Sequence, residues 1–424
     1  MKIIISLMLF VILFQGIKLN IPEIPFLSYI DEIFIVICLI LALKRIIKSG
    51  TINKNSFKIL LALMVFIILG ILSCVLNSQF DIKSLMVSTF LAVKFWLLIF
   101  ALENIKLSEG LKEAIIKVIF IVEKIAIVIA IFNLFFTETY LNYFSFDESY
   151  YRFGMISITS CFNHPATFGW FMLFCAMLRF SIFYYEKQRK DAIIGVIDIL
   201  FSLLSLRTKV FISVIVCIIF YVLYINRKNI KKIMKKLPIL LLISILILFL
   251  FKDIIINTYD LYFLGNQGET ARQVLDETGK EILRDYFPIG VGFGKFATYY
   301  AALNYSEYYY IYGINDVYGL TKDDSKYSMD TFWPAIMGET GFLGLIVYIY
   351  LVVSIFKQLF KCINLGEKRP NIDKVYNLTS ILIFIQFVVE SFGEATFNTS
   401  PQNILVAIFI GLSLNTYNKK KEEE

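Results

Sequence analysis

The sequence predicts an all-α polytopic membrane protein with about twelve transmembrane helices and one long external loop that contains short helices. Of its 424 residues, 58% are hydrophobic and only 18% are charged, whereas a soluble domain has about 25% charged residues. The apolar residues form continuous runs and do not alternate with polar residues, as the strands of a membrane barrel would. Because lipid offers no hydrogen-bond partners to the backbone, helices are the remaining way for such runs to cross a membrane.

Each predicted span is an apolar run of a length that matches the hydrocarbon core, about 17–25 residues in most cases. The runs lie at residues 3–19, 27–43, 57–76, 84–102, 113–136, 165–185, 191–206, 209–225, 237–251, 331–356, 376–396 and 402–417. We expect the first run to be a retained span, because no small-residue cleavage site follows it.

The connections between these runs predict their orientation. Alternate connections are rich in lysine and arginine, as at 44–54, 187–190 and 227–236, and the positive-inside rule places them in the cytoplasm together with both termini. Residues 252–330 then form an extracytoplasmic lid within a single membrane domain, residues 1–424. The net charge of +7 reflects these loops, so we expect no nucleic-acid partner.

Arginines are unusual on the predicted outer side. The chain has nine arginines and 32 lysines, yet four of the nine arginines lie outside: Arg152, Arg207, Arg272 and Arg284. A guanidinium binds phosphate oxygens through two parallel hydrogen bonds, which lysine cannot imitate. These residues indicate a phosphate-bearing ligand, and loop salt bridges are the alternative. Arg207 stands with Lys209 in a short turn at the membrane edge, where a charge marks a functional path or a snorkelling anchor.

Three further residues are candidates for acid–base chemistry: His164, Asp330 and Glu339. His164 is the only histidine and has no ligand partner at metal-site spacing, so no metal is predicted. It suits a general base or a phosphate donor, or a helix start bonded to the backbone. Deeper in the spans, Lys94 and Glu123 are expected to form a structural pair.

Taken in order along the chain, several short motifs resemble the bacterial O-antigen polymerase and ligase superfamily, the Wzy-like and WaaL-like membrane glycosyltransferases. The motifs are Asp31-Glu32, Arg152-x-Gly154, His164-Pro165, Ser205-x-Arg207, Arg272, the Arg284-x9-Gly294 spacing, Pro288-x-Gly290-x-Gly292-x-Gly294 and Glu339-x-Gly341-x-x-Gly344. The glycine run lacks the strand and the Lys-Ser/Thr of a nucleotide-binding loop, so its glycines are expected to permit a tight turn or a close backbone approach.

The resemblance implies a GT-C-like bundle and an inverting glycosyltransferase in the bacterial cytoplasmic membrane. Such an enzyme transfers a glycan from undecaprenyl pyrophosphate to a hydroxyl of a lipid-linked repeat unit on the outer face. Its implied partners are this oligosaccharide, the bilayer and a chain-length regulator, and it needs no cofactor. Arg207 and Arg272 would bind the pyrophosphate, with Arg152 and Arg284 as supporting contacts. The base remains open among His164, Asp330 and Glu339.

One departure separates the two branches of the superfamily. Ligase-like members have a histidine just before the Glu-x-Gly-x-x-Gly span, where this chain has Asp330. The departure favours a polymerase of O-antigen, capsule or exopolysaccharide over a ligase. A lipid-linked oligosaccharide flippase is the alternative from another class, but its charges should line a deep central cavity and it would not need the long lid.

Overall fold

The computed structural model describes residues 2–14, 29–77, 81–105, 110–144, 151–152, 154–227, 270–364 and 370–423, together with the isolated positions 238, 242, 252 and 256. Apart from those isolated positions, the predicted ninth run, residues 237–251, and the first part of the lid, residues 252–269, lie outside the described residues.

Helices make up most of the described chain. They are α1 (Lys2–Phe14), α2 (Ile30–Ser49), α3 (Lys54–Asn77), α4 (Ile82–Asn104), α5 (Leu111–Phe135), α6 (Thr137–Phe144), α7 (Pro165–Glu186), α8 (Arg189–Leu203), α9 (Thr208–Ile225), α10 (Ala271–Asp285), α11 (Tyr299–Leu303), α12 (Glu307–Ile311), α13 (Trp333–Asn364), α14 (Asn371–Glu390) and α15 (Gln402–Glu423). Among these residues the only strands are β1 (Tyr151–Arg152) and β2 (Met155–Ile156), which form an antiparallel hairpin.

The predicted all-α membrane class is confirmed at this level. A helix overlaps every predicted run that falls within the described residues, although α14 ends at Glu390, short of the predicted end at residue 396. Six of the described helices are long and apolar enough to cross a membrane: α3, α4, α7, α9, α13 and α14. Membrane crossing by the other helices and the orientation of the bundle stay predictions.

Packing separates an interior helix from helices whose apolar side chains face outward. In α7 every residue from Pro165 to Arg179 is buried, and the helix packs against α8, α9 and α14. By contrast, α3 exposes Ile68 and Val75 by 61% and 53%. Large apolar side chains exposed on a helix surface are unfavourable in water. A lipid environment accommodates them.

Buried ion pairs connect the helices. Lys94 on α4 lies 3.1 Å from Asp31 and 2.9 Å from Glu32 on α2, whereas Glu123 on α5 pairs with Arg179 on α7. The expected Lys94–Glu123 pair is therefore wrong. The reason is the packing order, because α4 lies against α2, α3 and α15.

The described part of the lid has its own small apolar core. Residues of α10, α11 and α12 and the segments between them meet one residue of α13 there: Ala271, Val274, Leu275, Ile282, Val291, Phe296, Ala297, Ala301, Tyr308, Tyr309, Ile314, Leu320 and Ala335. A capping box starts α10, since Thr270 N donates to Gln273 Oε1 at 3.0 Å and Gln273 N donates back to Thr270 Oγ1 at 3.4 Å. The described part of the lid is thus a folded unit that packs on α13.

The lid is joined to α13 by two glycines with left-handed backbone. Gly341 interrupts α13 with a φ of 63° and a ψ of −162°, and Gly290 in the lid has a φ of 71°. A Cβ atom on Gly290 would overlap the main chain of Gly338 and Gly341. Only glycine allows both this conformation and this approach, which is the close backbone approach that the sequence predicts.

Hydrogen bonds fix this contact, which we call the glycine latch (residues 288–294 and 338–343). Three main-chain bonds cross it: Val291 N to Gly338 O at 2.9 Å, Gly292 N to Glu339 O at 2.8 Å and Leu343 N to Pro288 O at 3.1 Å. The latch also touches α3, because Asn77 Nδ2 donates to Gly290 O at 2.9 Å. The lid is therefore held by two apolar helices at once.

Gly290→Ala should destabilise the protein much more than Gly313→Ala. Both positions have a positive φ, which costs an alanine about 1–2 kcal/mol. At Gly290 the new methyl group would overlap backbone atoms, whereas nothing lies within 4 Å of it at Gly313. Overpacking therefore adds about 1–3 kcal/mol to the destabilisation at Gly290 alone. Thermal unfolding of the two purified variants in one detergent measures the difference. Equal shifts would contradict the steric account of the latch.

Candidate functional site

A strained turn between α8 and α9 positions Arg207. Leu206 has a φ of 52°, which costs a residue with a Cβ atom about 1–2 kcal/mol. The turn is held in place because Ser205 is buried, donates from Oγ to Ser202 O at 2.7 Å and packs against Gly169 of α7. Arg207 follows directly and precedes the first residue of α9.

The segment that leads from the β-hairpin to α7 is tied to the same turn. Ile158 N donates to Leu204 O at 3.0 Å, and Asn133 at the end of α5 accepts a bond from Thr159 N at 3.0 Å. These bonds bring the hairpin that contains Arg152 and the start of α7 next to the α8–α9 turn.

His164 caps α7 and faces positive charges. Its Nδ1 atom accepts a hydrogen bond from Ala166 N at 3.1 Å. Burial, together with the charges of Arg207, Lys209 and Arg152, lowers the pKa of His164 to about 3. The ring is therefore neutral, and because Nδ1 is an acceptor, its proton lies on Nε2. In this form His164 is a hydrogen-bond donor and a poor base.

The lid contributes an arginine and a carboxylate to the same place. Arg272 Nη2 lies 3.4 Å from Asp330 Oδ2. Burial raises the pKa of Asp330, and the positive charges of Arg272, Lys209 and Arg207 oppose this rise. Asp330 on the lid thus lies within electrostatic range of two cations on the α8–α9 turn and α9. We call Arg152, His164, Arg207, Lys209, Arg272 and Asp330 the cationic cluster.

Lys209 is also a member of the cluster, although its place beside Arg207 in the sequence predicts no separate role for it. It forms an ion pair with Glu394 just after α14, and its Cβ atom lies 3.7 Å from the place that a Cβ atom on Gly393 would occupy. Glu390, which is fully buried, is a second carboxylate close enough to attract the ammonium group of Lys209. The signal in the sequence was its position, since Lys209 is a second cation next to Arg207 at the start of an apolar helix.

Arg284 is not brought to the cluster. It lies on α10, twelve residues after Arg272, which is about 18 Å along a helix that rises 1.5 Å per residue. Its side chain is 73% exposed and lies 3.9 Å from Glu281 on the same helix. Arg284 is thus a surface residue of the lid in this structure.

Glu339 lies in the glycine latch. Its Oε1 atom accepts hydrogen bonds from Lys295 N at 2.9 Å, from Phe296 N at 3.3 Å and from Thr298 Oγ1 at 2.7 Å. The carboxylate is buried and organises the chain that follows the glycine run. This arrangement gives Glu339 a structural task in holding the lid.

Together, the cluster residues can bind a polyanion and accept a proton. Three arginines, one lysine and the Nε2–H group of His164 supply donors, and Asp330 supplies a carboxylate beside them. Within the part of the chain that the structure describes, no group of three or more histidines, cysteines or carboxylates is arranged to hold a metal ion.

The chain matches no protein-family model, and no curated protein is similar to it. Its class therefore follows from its own fold and site. It is an all-α membrane protein whose lid and helices together form a cationic cluster that contains a carboxylate.

Proposed function

We propose that this protein is a bacterial surface-polysaccharide polymerase, an inverting membrane glycosyltransferase. It transfers a growing glycan from undecaprenyl pyrophosphate to a hydroxyl of a lipid-linked repeat unit, at the outer face of the cytoplasmic membrane. The observation that carries the proposal is the convergence of Arg207 and Lys209 on the helices with Arg272 and Asp330 on the lid.

The leaving group explains why cations are needed. When the bond between the anomeric carbon and the phosphate oxygen breaks, negative charge grows on the pyrophosphate. Cations fixed beforehand in a site of low dielectric stabilise that charge without reorganising during the reaction. Arg207 and Arg272 would bind the pyrophosphate, Arg152 and Lys209 would add charge, and neutral His164 would donate from Nε2.

Asp330 is the residue best placed to act as the base. In an inverting transfer the acceptor hydroxyl attacks the anomeric carbon from the side opposite to the phosphate, the new C–O bond forms as the old one breaks, and the hydroxyl proton moves to the base. The Nδ1 atom of His164 already accepts a bond, and Glu339 holds the latch. Asp330 has a half-exposed side chain beside Arg272, which leaves it open to an acceptor.

The finer architecture belongs to the same proposal. We propose a GT-C-like bundle of about twelve spans with both termini in the cytoplasm and the lid outside. In this orientation the cationic cluster faces the compartment in which repeat units are joined. A chain-length regulator is a further proposed partner.

Deletion of the gene in its host distinguishes the polymerase from its alternatives. We expect the deletion strain to carry single repeat units where the parent strain carries polymer, and the plasmid-borne gene to restore the polymer. Repeat units retained inside the cell would instead indicate a flippase. Full-length chains left on the lipid carrier would indicate a ligase. Gel analysis of surface glycan and of lipid-linked glycan gives the three results separately.

A further inference from the structure

A second charged cluster lies deep in the bundle and takes no part in the proposed reaction. It consists of Glu123 on α5, Arg179 on α7, and Asp191 and Asp198 on α8, all of them buried. Arg179 lies fifteen residues along the chain from His164, which is about 22 Å at 1.5 Å per residue. The two clusters are therefore well separated along α7.

Two of the three carboxylates fully engage the guanidinium. Arg179 donates from Nε to Glu123 Oε1 at 2.9 Å and from Nη2 to Glu123 Oε2 at 2.5 Å, a bidentate pair. Its Nη1 atom donates to Asp191 Oδ1 at 2.7 Å, and one face of the guanidinium lies 3.5 Å from the centre of the Phe120 ring. None of these hydrogen bonds from Arg179 reaches Asp198.

Asp198 is the third carboxylate, and its position needs an explanation. Its exposure is 0%, and neither of its side-chain oxygens has a hydrogen-bond donor among the described residues. Its carboxyl group nevertheless lies against that of Glu123. Two carboxylates can meet in this way only if one of them holds a proton or if a cation lies between them.

The charges around Asp198 leave the cluster too negative for a buried site. Glu123 faces it from α5, Arg179 and the Cys175 thiol face it from α7, and Asp191 on its own helix shares Arg179. Three ionised carboxylates against one guanidinium would leave two uncompensated negative charges in the interior. A buried unpaired charge is very costly, and such a group is neutralised instead.

We propose that Asp198 and Glu123 share one bound proton, so that α5, α7 and α8 form a buried proton-binding site separate from the cationic cluster. The proton completes a hydrogen bond between the two carboxyl groups. It leaves two ionised carboxylates, both of which Arg179 binds, and it lowers the excess charge of the cluster from two negative charges to one.

The sign of the resulting pH dependence follows from this count. The folded protein binds one more proton at this site than the unfolded chain does at neutral pH. The stability that the shared proton contributes is therefore present while that proton is bound and is lost as the pH rises and the proton dissociates. An asparagine at position 198 donates a hydrogen bond without carrying a charge, and should remove this dependence.

Asp198→Asn and Asp191→Asn make a matched test, because both replace a buried carboxylate of α8 by an amide. We expect the thermal midpoint of the purified full-length protein in detergent to fall with rising pH, and Asp198→Asn to flatten this slope and to equal or exceed the parent at alkaline pH. Asp191→Asn, which breaks an ion pair with Arg179, should lower the midpoint at every pH and keep the slope.

Infrared spectroscopy provides a readout that does not depend on unfolding. The parent protein and Asp191→Asn should show the stretching band of a protonated carboxylic acid at neutral pH, and Asp198→Asn should lose it. An absent band in the parent, or an unchanged pH slope in Asp198→Asn, would overturn the proposal. A midpoint that rises with Na⁺ in a protein without the band would overturn it too, because a metal cation would then occupy the gap.

Discussion

Replacement of Arg207 or Arg272 by lysine should reduce polymer formation by about 10²–10³-fold at unchanged protein level. Lysine keeps the positive charge but offers a single point donor, so it loses the bidentate contact with pyrophosphate oxygens. Polymer length on gels and the rate of polymer formation from lipid-linked repeat units measure the loss. The two residues lie on different elements, and both are held near Asp330, so each change should be severe on its own.

Arg284→Lys is the matched control for this prediction. Arg284 lies on the same lid helix as Arg272, but its side chain is largely exposed and lies near Glu281. The change should leave polymer length and rate unaltered. If Arg207→Lys and Arg272→Lys both make full-length polymer at the parent rate, the pyrophosphate site is not the cationic cluster. If Arg284→Lys reduces polymer formation as much as Arg207→Lys and Arg272→Lys do, the lid must bring Arg284 to the substrate in a conformation other than this one.

The helices were predictable because lipid exposure and burial both select apolar residues, so a continuous run predicts a helix whatever its neighbours. The residues at which the helices end were less predictable. The eleventh run continues to residue 396 in sequence, yet α14 ends at Glu390 and the chain turns toward the short 3-10 helix at Thr396–Asn398. Hydropathy does not reveal the end of this helix, because Phe392 and Ala395 are apolar whether or not they are helical.

The part of the site that depends only on which side of the membrane each loop lies was predictable. Arg152, His164, Arg207 and Arg272 all fall on one predicted side of the membrane, and the structure brings them together with Asp330. Which lid arginine lies near the cluster depends on how α10 packs against α13, and no spacing rule reveals that. The sequence analysis expects both lid arginines at the pyrophosphate, Arg284 in a supporting role, whereas the structure places Arg272 beside Asp330 and Arg284 on the lid surface.

The Lys94–Glu123 expectation failed for a related reason. Two charged side chains can form an ion pair only if they lie at a similar depth in the membrane. Which of them do so depends on which helices pack against each other. Lys94 had two carboxylates of α2 within reach, and Glu123 had a guanidinium of α7. An arginine that can bind both oxygens of a carboxylate is also the better partner in a buried site.

Asp330→Asn should lower the rate of transfer by about 10²–10⁴-fold, the usual contribution of a general base. Asparagine fills the same space and can still contact Arg272, but it cannot accept the hydroxyl proton. The purified protein should therefore keep its thermal midpoint and lose turnover. A fall in donor affinity at an unchanged maximal rate would instead mean that Asp330 only positions Arg272.

The pH profile separates these two roles of Asp330. A base must be ionised, so the parent rate should fall on the acid side as Asp330 becomes protonated. Because burial raises the pKa of Asp330 above the ordinary value of 3.8, this fall should begin at a higher pH than it would for an exposed aspartate. Asp330→Glu should retain an acid limb at a shifted pH, and Asp330→Asn should lack it. Glu339→Gln is the control, since a weakened latch should reduce stability but leave the acid limb where it is in the parent.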